Sequence, residues 1–157
     1  ICQPRIRGRL MPRLTAWFSR CRCPYEYGGT SILPQSYPVW ADQIFDAIRP
    51  QLNCPLPELY PNSFNLNIYE SNHSLGWHAD DEKELGINPF IASLSLGETR
   101  RMHFKHKTTK DKFHIDLEHG SLLIMKGTLQ HHWKHQIPKS KKSLGKRINL
   151  TFRTIMD

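Results

Sequence analysis

The stretch Arg147-Ile148-Asn149-Leu150-Thr151-Phe152-Arg153 alternates without a break. In an extended strand Ile148, Leu150 and Phe152 share one face, and Arg147, Asn149, Thr151 and Arg153 share the other. Taken alone, this is the pattern of an ordinary strand with one face buried and one face in water. The sharper reading turns the polar face into a barrel interior. A jelly roll can present such residues at its mouth, where two guanidiniums need an anionic ligand, because arginine forks grip carboxylates in bidentate fashion and buried charges must be paired. A second polar face lies in residues 65–70, through Asn67 and Tyr69.

The same period of two recurs outward from this stretch. Phe64, Leu66 and Ile68 alternate with Asn65, Asn67 and Tyr69, and short extended runs follow at 90–96, 101–107, 112–117, 121–125 and 147–155. Before them, Ser36 can cap a helix and Pro38 suits its first turn. Trp40, Ile44, Ile48 and Leu52 then recur every four residues, which predicts one amphipathic helix ending near Pro50. The expected fold is mainly β (α+β): a jelly roll carrying one helix on a face. The first 35 residues hold Arg5, Arg7, Arg9, Arg13, Arg20 and Arg22 among prolines and glycines, and read as a basic, loop-rich arm ahead of a core spanning 36–157.

Composition narrows the partners. At 157 residues, 38% hydrophobic and 23% charged, the chain can build one compact domain, and no apolar run approaches the length of a membrane span. The formal charge of +8 favours a polyanion such as nucleic acid. Cys2, Cys21, Cys23 and Cys54 have neither the paired spacing of a zinc site nor the density of a disulfide scaffold, so a reducing compartment, nucleus or cytoplasm, is expected. Ile1 opens the chain without the basic-then-apolar pattern of a secretory signal.

Nine histidines invite a search for metal ligands. His78-Ala79-Asp80 with His135 supplies the two imidazoles and one carboxylate of the facial triad that holds non-haem Fe(II) and leaves positions open. Composition alone yields roughly 0.8 histidines with an acid two places on. A second instance does occur, at His114-Ile115-Asp116, but it sits inside a plain alternating strand and too near His135 in sequence for a jelly roll to separate the ligands. His103, His106, His119, His131 and His132 read as ordinary surface or locally bonded histidines. The acidic run from Asp80 to Glu84 is unusual in so basic a chain, and fits a site with Asp80 on the metal and Glu82 on an amino-bearing substrate.

Taken in order, Asn67-x-Tyr69, His78-Ala79-Asp80-Asp81-Glu82, the run 91–97, the run 119–125, Trp133-x-His135-x-Ile137-Pro138 and Arg147-x-Asn149-Leu150-Thr151-Phe152-Arg153 resemble the AlkB family of Fe(II)- and 2-oxoglutarate-dependent dioxygenases, from about residue 12 onward. The resemblance implies a double-stranded β-helix with iron on His78, Asp80 and His135. It also implies 2-oxoglutarate chelating that iron and held by Arg147, Arg153, Asn67, Tyr69, Asn149 and Thr151. The activity implied is oxidative removal of methyl groups from 1-methyladenine and 3-methylcytosine, releasing formaldehyde, succinate and CO2. Enzymes acting on a base must extrude it or meet it single-stranded, and aromatic faces serve as platforms. By the same resemblance Tyr25 and Tyr27 form a substrate lid, Trp17 falls at a matching substrate-binding position, and Glu82 accepts from the exocyclic amine of the base. Arg100, Arg101, Lys105, Lys107, Lys139, Lys141 and Lys142 are the phosphate candidates. The run after Tyr27 departs from the family's lid and no bulky wedge is evident before Pro12, so single-stranded DNA or RNA is the favoured partner and a monomer the expected state. Two other readings remain open: an oxygenase of this fold acting on a protein or other substrate, and a non-catalytic basic module that binds nucleic acid.

Overall fold

The computed structural model describes residues 1, 3–6, 9–21, 24–27, 30–53, 60–142 and 144–156. Cys2, Arg7, Arg22, Cys23, Gly28, Gly29 and Cys54, singled out in the sequence, lie outside the described residues. In chain order the elements begin with β1 (Arg5–Ile6), β2 (Arg9–Leu10), β3 (Leu14–Ser19), β4 (Tyr25–Tyr27), β5 (Thr30–Ile32), β6 (Gln35–Ser36) and helix α1 (Val39–Leu52). They continue with β7 (Ser63–Tyr69), β8 (Leu75–His78), β9 (Ile91–Gly97), β10 (Arg100–His106), β11 (Lys112–Leu117), β12 (Leu122–Met125), the single turn α2 (Leu129–His132), β13 (Trp133–Ile137) and β14 (Arg147–Arg153).

Two sheets make the jelly roll. The larger has the order β12-β9-β14-β7-β3-β6 and the smaller β11-β10-β13-β8. Between them pack Tyr69, Ile91, Met102, Phe104, Leu117, Met125 and Ile137, drawn from both sheets. A second apolar layer lies on the other side of the larger sheet. There Ala41, Phe45, Ile48 and Leu52 of α1 meet Ala16, Phe18, Phe64, Leu66, Ala92, Leu94, Leu150 and Phe152. Strand β14 therefore sits between two cores. Its apolar face lies under the helix and its polar face opens between the sheets, so the half-solvated reading gives way to the barrel interior.

Several expectations are corrected. Residues 14–19, assigned to the loop-rich arm, form β3 inside the larger sheet, where Thr15 pairs with Asn67 and Trp17 with Asn65. The arginines and prolines around them masked a short alternation of Leu14, Ala16 and Phe18. Helix α1 runs through Pro50 to Leu52 and is closed by Asn53 in the left-handed region at φ 43°. A proline in the last turn forfeits only one backbone bond, and the burial of Leu52 holds the end down. Its buried face is Ala41, Phe45, Ile48 and Leu52, while Trp40 is 42% exposed. At the junction of β9 and β14, Gly97 has φ +88°, and a Cβ there would stand 2.3 Å from the Lys146 carbonyl oxygen. Only glycine permits this approach, which sets Arg147 opposite Gly97 in the ladder. Among the described residues no helix is long and apolar enough to cross a membrane.

Candidate active site

Strands β8 and β13 pair so that His78 lies directly opposite His135, with ring centroids 4.2 Å apart. Asp80 follows just beyond the end of β8. Ligand atoms of the three lie within 4.8 Å of one another. The Nδ1 of His78 is 2.9 Å from the Gly76 carbonyl oxygen. A carbonyl only accepts, so Nδ1 carries the proton and Nε2 keeps its lone pair. Burial, and then the neighbouring His135, push the His78 pKa down to about 4, which leaves a neutral imidazole fit to ligate.

Asp80 is 1% exposed. Burial alone would raise its pKa, but the Arg153 guanidinium, with His135 and His78 beside it, outweighs that and holds the carboxyl well below its usual range. Its Oδ1 accepts from Arg153 Nη2 at 2.7 Å, and its Oδ2 stands 3.5 Å from His135 Nε2 with no hydrogen-bond partner among the described residues. A buried carboxylate oxygen left unmet beside two imidazole rings is what a divalent cation completes. The residues therefore fit the Fe(II) site expected from the sequence. Asp80 is held from behind as well, since its N–H donates to Gln130 Oε1 at 2.9 Å.

The polar face of β14 opens on the same cavity, lined also by Arg13, Asn65, Asn67, Tyr69 and Ser93. Asn149 Nδ2 donates to Ser93 Oγ at 2.8 Å, Thr151 Oγ1 donates to Asn149 Oδ1 at 2.8 Å, and Arg13 Nε donates to Asn67 Oδ1 at 2.8 Å. Arg147 Nη2 donates to Ser95 Oγ at 2.9 Å, and its guanidinium lies 5.1 Å from the centre of the Tyr69 ring. The Nε and Nη1 of both Arg147 and Arg153 are buried without hydrogen-bond partners among the described residues. Burial lowers the pKa of Arg147, with Tyr69 partly opposing it; for Arg153 burial would do the same, but Asp80 outweighs it. Unmet guanidinium donors walled in beside a metal cluster fit a small dicarboxylate chelated to that metal.

The expected substrate residues divide. Glu82 is partly buried; burial, and then the charge of Asp80, raise its pKa, and its Oε2 has no partner among the described residues. Trp17 and Tyr25 are 2% and 0% exposed, stacked on each other at 4.7 Å and packed against Leu85 and Ile155. Their ring faces are thus spent on each other and on the core, so the lid expected of Tyr25 stands as a buried wall. Tyr27 pairs with Thr30 in the β4–β5 hairpin, and its side chain lies outside the described part. Arg100 is corrected too: it is 3% exposed, and its Nη2 donates to the carbonyls of His73 at 2.7 Å and Pro138 at 3.0 Å, which leaves it a clamp between loops and not a phosphate contact. Lys105 faces outward from β10, and Lys141 is exposed in a groove with Lys139, Lys142, Arg101 and His103. His114 and Asp116 of the second His-x-Asp pair lie on the exposed face of β11, where Asp116 pairs with Arg101.

Arg13, Ser93, Ser95 and Gln130 were not foreseen. The first three carried a usable signal, since Arg13, Thr15, Trp17 and Ser19 alternate with Leu14, Ala16 and Phe18, and Ser93 and Ser95 alternate with Ala92, Leu94 and Leu96. Gln130 carried none, for it sits in a single helical turn.

A jelly roll with a His-Asp-His cluster and buried unmet guanidiniums defines a class, and the sequence bears it out: the chain belongs to the 2OG-Fe(II) oxygenase superfamily, whose model matches residues 4–153, and within it to the AlkB family. It is 38% identical over 92% of its length to the alpha-ketoglutarate-dependent dioxygenase alkB homolog 3 of Rattus norvegicus, covering 50% of that protein, and 37% identical to the human protein of that name, covering 92% of this chain and 52% of that one. The DNA oxidative demethylase ALKBH2 of Bos taurus is 32% identical over 93% of this chain and 54% of that protein. Among solved structures, OsALKBH1 superposes with a TM-score of 0.58 at 26% identity, covering 78% of this chain and 66% of that one. The chain spans about half the length of the curated relatives it matches.

Proposed function

We propose that this chain is an oxidative demethylase of N-alkylated nucleobases, 1-methyladenine and 3-methylcytosine, in single-stranded DNA or RNA, and serves alkylation repair in the nucleus or cytoplasm as a monomer. The observation that carries it is the opening of the unmet donors of Arg147 and Arg153 onto the same cavity as the ligand atoms of His78, Asp80 and His135. The names of the relatives, one of them a DNA oxidative demethylase, support the nucleic-acid assignment. Net charge of +8 supports a polyanionic substrate, and cysteines without paired spacing support a reducing compartment.

Fe(II) and 2-oxoglutarate, when bound with O2, supply a two-electron oxidation of the N-methyl group, with succinate, CO2 and formaldehyde as the products beside the bare base. The protein's part is placement. His78, Asp80 and His135 would hold the metal. Arg147 would anchor a carboxylate of 2-oxoglutarate, with Tyr69, Asn67, Asn149 and Thr151 lining its seat, while Arg153 fixes Asp80. Glu82 accepts a hydrogen bond from the exocyclic amine of the base, and the stacked Trp17–Tyr25 pair forms the wall behind it. Lys105 and Lys141 meet phosphates.

The test is anaerobic loading with Fe(II) and 2-oxoglutarate, admission of air, and mass spectrometry of oligonucleotides carrying one 1-methyladenine or 3-methylcytosine. Loss of the methyl group with matching succinate is expected, faster on single strands than on duplex. Succinate without methyl loss would move the activity to another substrate class.

A further inference from the structure

Strand β8 is the edge of the smaller sheet, and neighbouring side chains along it point to opposite faces. His78 points inward to the metal cluster. Trp77 points outward and is 40% exposed. It lines an open groove of about 410 Å³ with Lys105, His106, Lys107, Lys110 and Lys134, a size within the ~300–1,000 Å³ range of ligand clefts. No carboxylate lines that groove among the described residues, although Lys107 reaches Asp81 outside it at 3.2 Å.

The lysines are arranged against their own interest. Lys105 lies directly opposite Lys134 in the β10–β13 ladder and directly opposite Lys112 in the β10–β11 ladder, so three ammonium side chains stand in one row across three strands. Like charges facing each other across a ladder destabilise it. Among the described residues none of the three has an ion-pair partner, although the same sheet does pair Arg101 with Asp116 four residues along β10. Such a row is satisfied by a polyanion laid across it. An exposed indole beside uncompensated ammonium groups is the combination that holds unpaired bases and their phosphates.

We propose that this groove is a second nucleobase subsite: Trp77 stacks an unpaired base next to the one held at the metal, and Lys105 and Lys134 hold its flanking phosphates. This rests on the demethylase reading above and adds a route for the strand. The target base enters between the sheets, the backbone crosses the open edge of β8, and the neighbouring base lies on the outer face. A base locked in a duplex cannot lie flat on that indole, so preference for single strands follows from the placement of Trp77.

The test uses the full chain loaded with Mn(II) and 2-oxoglutarate and measures, by anisotropy, its affinity for a labelled single-stranded octamer with a central 1-methyladenine. Two further octamers carry an abasic residue on the 5′ or the 3′ side of the target. Removing one of these neighbours is expected to cost the wild type about tenfold, the scale of one base–aromatic stack. Trp77→Ala should lose about tenfold on the intact octamer and nothing more on that abasic one, and Trp77→Phe should recover most of the loss. Lys134→Ser should lower the slope of log affinity against log salt by about one. Equal affinity of wild type and Trp77→Ala, or an abasic penalty that persists undiminished in Trp77→Ala, overturns the subsite while leaving the demethylase reading in place. Binding of no methylated strand at all overturns both.

Discussion

Strands β14 and β10 are each seven residues long and alternate with the same period, yet they bury opposite chemistry. β10 follows the familiar rule: Met102 and Phe104 face the core, and Arg101, His103 and Lys105 face out. β14 inverts it, with Arg147, Asn149, Thr151 and Arg153 between the sheets and Leu150 and Phe152 turned away from them. Helix α1 makes the inversion possible, because it covers the outer face of the larger sheet and leaves the smaller sheet bare. Alternation thus identifies two faces but not which is inside. The element packed on the back decides that, and with it where a polar face becomes a site and where it becomes a surface.

Changes against the two faces of β14, the inner one through Asp80 bonded to Arg153, should differ in what they do to the chemistry. The largest effect is expected from Asp80→Ala, which removes a metal ligand and strips Arg153 of its buried counter-charge. Turnover should fall to background and the fold should lose roughly 3–5 kcal/mol, measured by succinate release and urea unfolding. On the opposite face, Phe152→Ala empties a fully buried position against Phe45 and Phe64 and should cost about 3–5 kcal/mol, while folded protein keeps its affinity for 2-oxoglutarate. If that affinity collapses in step with stability, the two faces are not separable.

The metal-free protein should also weaken in acid. His78 has its pKa lowered to about 4 in the fold against about 6.5 when unfolded, so between those values the unfolded chain binds the extra proton. The stability present above pH ~6.5 is then lost as pH falls toward ~4, by up to roughly 3 kcal/mol, and His78→Gln should flatten that part of the profile. The smallest effect belongs to Gln130→Leu, which keeps the volume but removes the acceptor for the Asp80 N–H. Affinity for Co(II) should drop roughly 10–100-fold with an altered visible spectrum, and the buried Asp80 N–H left unmet should lower stability by about 1–3 kcal/mol. An unaltered spectrum would show that the loop after β8 holds Asp80 unaided.

Much of this was legible in the sequence. The metal ligands were, as a His-x-Asp pair with a later histidine that the family resemblance singled out, although the strands that carry them, β8 and β13, were not among the extended runs read from the sequence. The inner face of β14 was legible as a face, and became a site once resemblance to a family supplied the ligand. What stayed hidden depends on depth. The depth of Trp17 and Tyr25 went unread, Arg100 read as a phosphate contact and β3 as part of an arm, since burial arises from packing among segments distant in sequence. Gln130 was invisible because its role depends on a turn that only the loop before β13 creates.

The claim that the inner face of β14 seats a dicarboxylate is tested most directly by titrating 2-oxoglutarate into the Mn(II)-loaded protein by calorimetry, in wild type and in Arg147→Met. Binding by the wild type is expected, with a loss of roughly 10–150-fold in the variant, as removal of charged hydrogen bonds worth about 1.5–3 kcal/mol implies. The metal-free melting temperature should hold or rise, because the variant exchanges a buried guanidinium with two unmet donors for an apolar side chain. Equal affinity in the two proteins would place the carboxylate elsewhere and contradict the assignment.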